Sequence, residues 1–159
     1  MGNLVLIVIG IIVLFNSVIL FLLIKKIPSL LEMILSNTGM GLGQEFQLDF
    51  NLQADTNNLL CVDVECNQCK KIIQKVYSSS SSYEGTQLIF LSQKETVELY
   101  FKENNLDLFK VRHSYSNAED LYLTVKPFLY VVSKNGKVQD KHAILNIAQL
   151  DDYLKYEVS

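Results

Sequence analysis

The chain of 159 residues has no tryptophan, two prolines, two histidines and three cysteines. Cysteines at 61, 66 and 69 are too few and too unevenly spaced to staple a small disulfide-dependent domain. His113 and His142 stand alone, and there is no second C-x-x-C, so a four-ligand structural zinc site lacks donors. Basic charge is also scarce. With 14 Lys and Arg against 17 Asp and Glu, the formal net charge is -3 and no Lys/Arg-rich stretch occurs, which removes the electrostatic footprint that DNA or RNA binding needs. No nucleic-acid partner is expected.

What the chain does have is a long apolar run. Leu4 to Ile24 carries no charge and is interrupted only by Gly10, Asn16 and Ser17. At about 1.5 Å rise per residue it reaches roughly 30 Å, the thickness of a bilayer hydrocarbon core. A cleaved signal would need a basic leader and a small-residue cleavage site. Met1-Gly2-Asn3 has no basic side chain, and Lys25-Lys26-Ile27-Pro28 has no such site. Residues 1–27 therefore read as an uncleaved, single-span membrane anchor. Residues 28–43 read as a linker, with a short amphipathic piece followed by a stretch whose Gly39, Gly41 and Gly43 suit a flexible connection. Residues 44–159 are enough for one domain.

Within that domain, Phe46, Leu48, Phe50 and Leu52 alternate with polar residues, the period of a half-buried strand, and residues 55–58 read as a turn. Leu59 to Val64 is a mostly apolar run of the kind that makes a buried central strand, ending at Cys66. The period then changes: Cys69, Ile72, Ile73 and Val76 fall on one helical face. The cysteine motif thus sits where a strand hands over to a helix. Ser78 to Ser82 reads as a solvated loop. A strand is expected at Gln87–Leu91, and Ser92 with Glu95 has the spacing of a capping box for a helix carrying Val97, Tyr100 and Phe101. A third strand is expected at Leu108–Val111, and a short helix capped by Ser116 and Glu119 near Tyr122. Phe128 to Val132 and Lys137 to Lys141 flank Asn135-Gly136, a strong hairpin signal. Asn146 and Gln149 open a last helix with Ile147, Leu150 and Leu154 on one face. Strands alternating with helices, then a hairpin and a closing helix, predict an α/β fold with a mixed sheet flanked by helices.

Cys66-Asn67-Gln68-Cys69 carries the chemistry. The attacking species in disulfide exchange is a thiolate, and the unpaired N–H groups and dipole of a helix N-terminus favour negative charge there. Lys70 and Lys71 add weak positive potential, and Glu65 opposes it. The duller alternatives are half of a metal site or a static disulfide. Cys61 reads as a small buried hydrophobe, and His113 and His142 as ordinary histidines rather than bases.

The segments Leu59 to Lys71 and Val125 to Val132, followed by Asn135-Gly136-Lys137-Val138, resemble the thioredoxin fold. In layout the similarity runs from about Gln44 to Tyr153. More narrowly, the chain resembles the single-span thioredoxin-like proteins of the cytochrome-c-maturation and methylamine-dehydrogenase-accessory kinds. The resemblance implies a thiol:disulfide oxidoreductase without a cofactor or metal, acting on protein thiols or disulfides and recharged by a redox partner protein. It implies Cys66 as nucleophile, Cys69 as resolving thiol, and Pro127 after a cis bond, facing the pair. It also leans towards the reducing direction. The chain departs from the family at Asn67-Gln68, where a proline is common, at Glu65, where an aromatic is common, and at Lys126, where small or β-branched residues are favoured. A non-catalytic adaptor or metal-handling chaperone on the same fold is the alternative function. Lys25 and Lys26 favour a cytoplasmic domain by the positive-inside rule. The logic of tethering a redox pair to serve exported substrates favours the opposite side, and an extracytoplasmic domain is the expectation.

Overall fold

The computed structural model describes residues 2–46, 52, 55–79, 83 and 85–155. It divides into two compact units, Met1–Ile34 and Leu35–Ser159. The first is the body of helix α1 (Gly2–Ser36), which continues past Pro28. Within it Val8–Leu31 is long and apolar enough to cross a membrane, and none of its most apolar window is buried against protein. Its two central polar side chains turn back on the helix itself: Asn16 donates to Ile12 O at 2.9 Å and Ser17 to Val13 O at 2.9 Å.

The second unit is built on a five-stranded mixed sheet in the order β3-β2-β1-β4-β5. Strand β1 (Thr56–Val62) lies at its centre, parallel to β2 (Thr86–Phe90) and antiparallel to β4 (Phe128–Ser133). The run that starts at Leu59 is apolar because it is covered on both faces, and Leu59 to Val62 have no exposed surface. Residues 56–58 extend this strand, so the turn expected at 55–58 is confined to its start. On one face, α2 (Asn67–Ser78) buries Cys69, Ile72, Ile73 and Val76, the stripe read from the sequence. On the same side, α3 (Lys94–Glu103) contributes Val97, Tyr100 and Phe101, and α4 (Ile147–Lys155) contributes Leu150. The hairpin of β4 and β5 (Val138–Ala143) turns at Gly136, whose φ of 73° suits a residue without a side chain. Asn146 and Gln149 form the expected reciprocal cap of α4: Gln149 N donates to Asn146 Oδ1 at 3.0 Å and Asn146 N to Gln149 Oε1 at 3.2 Å.

Several local expectations fail for identifiable reasons. The strand expected at Leu108–Val111 is a 3-10 turn, Leu108–Lys110, held by the Asp107 carboxylate on the Phe109 N–H at 3.0 Å. Phe109 faces solvent with 93% of its surface exposed, so its apolarity signals no burial. The edge strand is instead β3 (His113–Tyr115), paired parallel with β2. Ser116 and Glu119 cap no helix, because residues 118–122 form turns ending at Tyr122 with φ of 53°. Ser92 does not cap α3 either. Gln93 is the N-cap, and the serine hydroxyl is engaged elsewhere.

The glycine-rich stretch is tied to the domain rather than loose. Met40 is buried, Gly39 N donates to Tyr122 O at 2.9 Å, and Gly43 N donates to Val138 O at 2.8 Å. The Tyr130 hydroxyl accepts from Met40 N at 2.9 Å and donates to Leu121 O at 2.8 Å. Of the strand expected around Phe46 to Leu52, Phe46 is buried and Leu52 packs against the second core face, whereas residues 47–51 lie outside the described residues. In the serine loop, residues 80–82 do too.

Candidate active site

Strand pairing puts the cysteine motif next to the segment that carries Pro127. The antiparallel register of β1 and β4 pairs Cys61 with Phe128. Continued outward, that register sets Val62 opposite Pro127 and Asp63 opposite Lys126. The Lys126-Pro127 peptide is cis, and the Pro127 carbonyl accepts from Ile144 N at 3.1 Å, which ties it to the end of the hairpin. On the other side of β1, Leu91 N donates to Val62 O at 2.8 Å, so that Ser92 arrives beside the same strand end.

Past Val62 the chain makes one turn, closed by Cys66 N donating to Asp63 O at 3.1 Å, and then enters α2. Cys66 is the N-cap, with extended backbone (φ -85°, ψ 122°), and its carbonyl accepts the first helical bond from Lys70 N at 3.0 Å. The first N–H groups of a helix have no partner inside it. Cys66 occupies this end and is partly exposed, with its Sγ 3.8 Å from the Lys126 carbonyl oxygen. Cys69, one turn further in, is fully buried. Burial pushes its thiol well above the ordinary range. The Asp63 backbone N–H works the other way, and Cys66 and the charge of Asp63 add to the rise. All three cysteines are free thiols. Cys61 belongs to the opposite core face and is fully buried, and burial raises its thiol as well. Between the cysteines, Gln68 donates to Leu145 O at 2.6 Å and fastens the first turn of α2 to the loop before α4.

One acid and one base went unassigned in the sequence reading. Asp63 is 5% exposed, and three donors converge on its carboxylate. The Lys126 ammonium pairs with Oδ2, while Ser92 Oγ and Glu65 N each donate to Oδ1 at 2.8 Å. Burial alone would raise this carboxyl. The Lys126 hydrogen bond, the Glu65 N–H, the Ser92 hydroxyl and the Lys126 charge outweigh it and hold the group below the usual carboxylate range. Ser92 also accepts from Val64 N at 3.1 Å, so its hydroxyl fixes the turn before the cysteines. Two signals in the sequence pointed here: an acid closing an apolar run needs a partner, and a lysine occupies a position where small residues are favoured.

His113 lies on β3 with Nδ1 3.0 Å from Val111 O, and His142 lies on β5 against Asp140 and stacked on Tyr153. The site does not draw either one in. Among the described residues, no three His, Cys, Asp or Glu side chains cluster as metal ligands would.

No protein-family model and no curated protein sequence matches the chain. Its structure does resemble solved ones. A protein from Chlorobium tepidum described as a thiol:disulfide interchange protein DsbE matches with a TM-score of 0.52 at 12% identity, over 76% of this chain and 94% of that one. The thioredoxin domain of a thiol-disulfide oxidoreductase from Bacteroides vulgatus matches at 0.51 and 12%, over 76% and 99%. The reduced N-terminal domain of PilB from Neisseria meningitidis matches at 0.50 and 17%, over 65% and 82%. At such identities the likeness speaks for architecture alone: a central parallel and antiparallel sheet with helices on its faces. By fold, the chain is thioredoxin-like.

Proposed function

We propose that this protein is a membrane-tethered thiol:disulfide oxidoreductase in which Cys66 is the nucleophile, Cys69 the resolving thiol, and Pro127 the residue that shapes the substrate side of the pair. The observation that carries this reading is the contrast between the two sulfurs. Cys66 is partly exposed at a helix start, and Cys69 is sealed one turn behind it. Only the first can meet a substrate, and only the second is placed to finish the reaction.

The thiolate of Cys66 attacks one sulfur of a substrate disulfide. A bond forms between Cys66 and that sulfur, and the other substrate sulfur leaves as a thiolate and takes up a proton. Cys69 then loses its proton and attacks the Cys66 sulfur, expelling the second substrate thiolate and leaving a Cys66–Cys69 disulfide. The substrate has gained two electrons and the pair has lost two. A partner protein with a dithiol restores the pair by the same steps. Reduction of the substrate is the proposed direction. The likeness in fold to thiol:disulfide oxidoreductases supports the reaction class, and the apolar helix supports the tether.

Reduction of a protein disulfide such as that of insulin tests the chemistry. Cys66→Ser abolishes exchange with the fold intact, and Cys69→Ser accumulates mixed disulfides with substrate. Full exchange by Cys66→Ser rejects the proposal. The domain is proposed to lie outside the cytoplasm, with substrates among exported proteins. An impermeant thiol reagent then labels Cys66 in intact cells, and protection until lysis reverses that assignment.

A further inference from the structure

The exchange chemistry above leaves the Asp63–Lys126 pair without a role. The pair is unusual in its placement. Asp63 belongs to the turn that carries the cysteines, and Lys126 to the segment that presents its carbonyl to Cys66. The carboxylate side chain is 7% exposed and the lysine side chain 45%, so the pair runs from the interior outwards to solvent. The groups whose charge reaches Cys69 are Cys66 and Asp63 from the β1–α2 turn, Lys126 from the segment before β4, and Cys61 from β1. Ser92, from the loop after β2, and the Glu65 N–H complete the shell of Asp63 but carry no charge there. A buried carboxylate beside a thiol that must ionise opposes it by like-charge repulsion, and a cation in contact with that carboxylate cancels the opposition.

We infer that Lys126 is a positioning residue for disulfide exchange: through Asp63 it clamps the pre-proline segment to the cysteine turn and neutralises the charge beside the pair, so that Cys69 can give up its proton when it resolves the mixed disulfide. This inference rests on the oxidoreductase reading. It assigns Lys126 an inward, structural and electrostatic task at a position where a small residue would leave the carboxylate uncompensated. It also explains why the Ser92 hydroxyl serves Asp63 rather than α3.

The full chain in detergent micelles, mixed with an aromatic disulfide that releases a coloured thiolate, separates the two steps. Cys66 attack releases the first equivalent, and Cys69 resolution releases the second. Lys126→Met moves the pH midpoint of the second phase upwards and slows it about tenfold near neutrality, the effect of leaving one close like charge uncompensated. Lys126→Arg keeps the wild-type profile, and Asp63→Asn added to Lys126→Met restores the second phase to within about threefold, because the opposing charge has gone. Asp63→Asn alone lowers the midpoint, which keeps the test open if Lys126→Met does not fold. A second-phase profile indifferent to Lys126→Met, a double variant as slow as the single, or an unmoved midpoint in Asp63→Asn each overturns the inference. A wild-type chain with no second phase overturns the oxidoreductase reading along with it, whereas wild-type phases that ignore these substitutions overturn the role of Lys126 alone.

Discussion

Replacing Gly39 by alanine asks whether the glycine stretch is part of the domain or only a tether. Gly39 has φ of 83°, and a Cβ built there would lie 2.3 Å from the Tyr130 hydroxyl oxygen and 3.3 Å from Phe128 Cε1. Alanine in left-handed backbone costs about 1–2 kcal/mol. The hydroxyl must also move by roughly 1 Å to restore ordinary contact, which stretches its bonds with Met40 N and Leu121 O, 2.9 and 2.8 Å long, beyond useful range. Each lost bond contributes about 0.5–1.5 kcal/mol, so the total destabilisation is about 2–5 kcal/mol. Tyr130→Phe removes the oxygen and with it the 2.3 Å contact, leaving the ring Cζ at 3.1 Å and Phe128 Cε1 at 3.3 Å to shift slightly, so in that background Gly39→Ala costs little beyond its backbone share of about 1–2 kcal/mol. Urea unfolding of the full chain in detergent, followed by the near-ultraviolet signal of its tyrosines, supplies the four stabilities of this cycle. A coupling of about 1–3 kcal/mol is expected. Two effects that add to within about 0.5 kcal/mol would refute the docking of residues 38–43 against Tyr130.

Two further outcomes follow from the same packing. Asp63 is held below its unfolded value, so the stability it supplies is present above that value, near pH 4, and fades as pH falls through the lower folded one. Lys126 is raised, chiefly by its hydrogen bond with Asp63, so its share is present below the ordinary lysine value of 10.5 and fades as pH rises through the higher folded one. The gap in urea midpoint between wild type and Asp63→Asn should therefore be flat between these limits and close at acid pH; a gap that persists in strong acid contradicts the pairing. Ile72→Ala, at a fully buried position on α2, should cost about 2–5 kcal/mol, whereas Leu99→Ala, 54% exposed on α3, should stay within about 0.5 kcal/mol by the same unfolding assay.

How much of this was legible in the sequence depended on how many residues shared one period. Ile72, Ile73 and Val76 with Cys69 make a stripe of two helical turns, and Leu59 to Val62 make an uninterrupted apolar run, so α2 and β1 could be placed from the chain alone. The hairpin at Gly136 followed from turn chemistry. β3 could not be seen, because three half-buried residues are too few to show alternation. The apolar Leu108, Phe109 and Val111 imitated a strand in its place, although the Asp107 side chain had already closed a 3-10 turn there. Spacing rules also cannot tell which of two acceptors a hydroxyl will choose. Ser92 stands three residues before Glu95, yet it is set beside a buried carboxylate from another segment. A capping box on an exposed helix end contributes about 1 kcal/mol, whereas a buried carboxylate short of a donor costs more, so the tertiary partner prevails.

The same logic explains why the site reads as one object although its parts come from distant stretches. Pairing Cys61 with Phe128 fixes what lies one and two steps beyond: Val62 against the cis proline, Asp63 against Lys126. An acid buried at the first position therefore constrains the second. With a small residue at 126 the carboxylate would keep only the Ser92 hydroxyl and the Glu65 N–H, two neutral donors for a buried charge beside two sulfurs. Removing one partner of a buried ion pair is costlier than removing both, since the survivor is left charged and unpaired. Loss of Lys126 should hence be tolerated only when residue 63 is also uncharged, whereas loss of Asp63 alone leaves a lysine whose side chain is 45% exposed and can be solvated. Random pairs selected for folding at these two positions should return Asp63 only with Lys or Arg at 126; recovery of Asp63 with a small residue at 126 would break the link between strand register and the charge beside the cysteines.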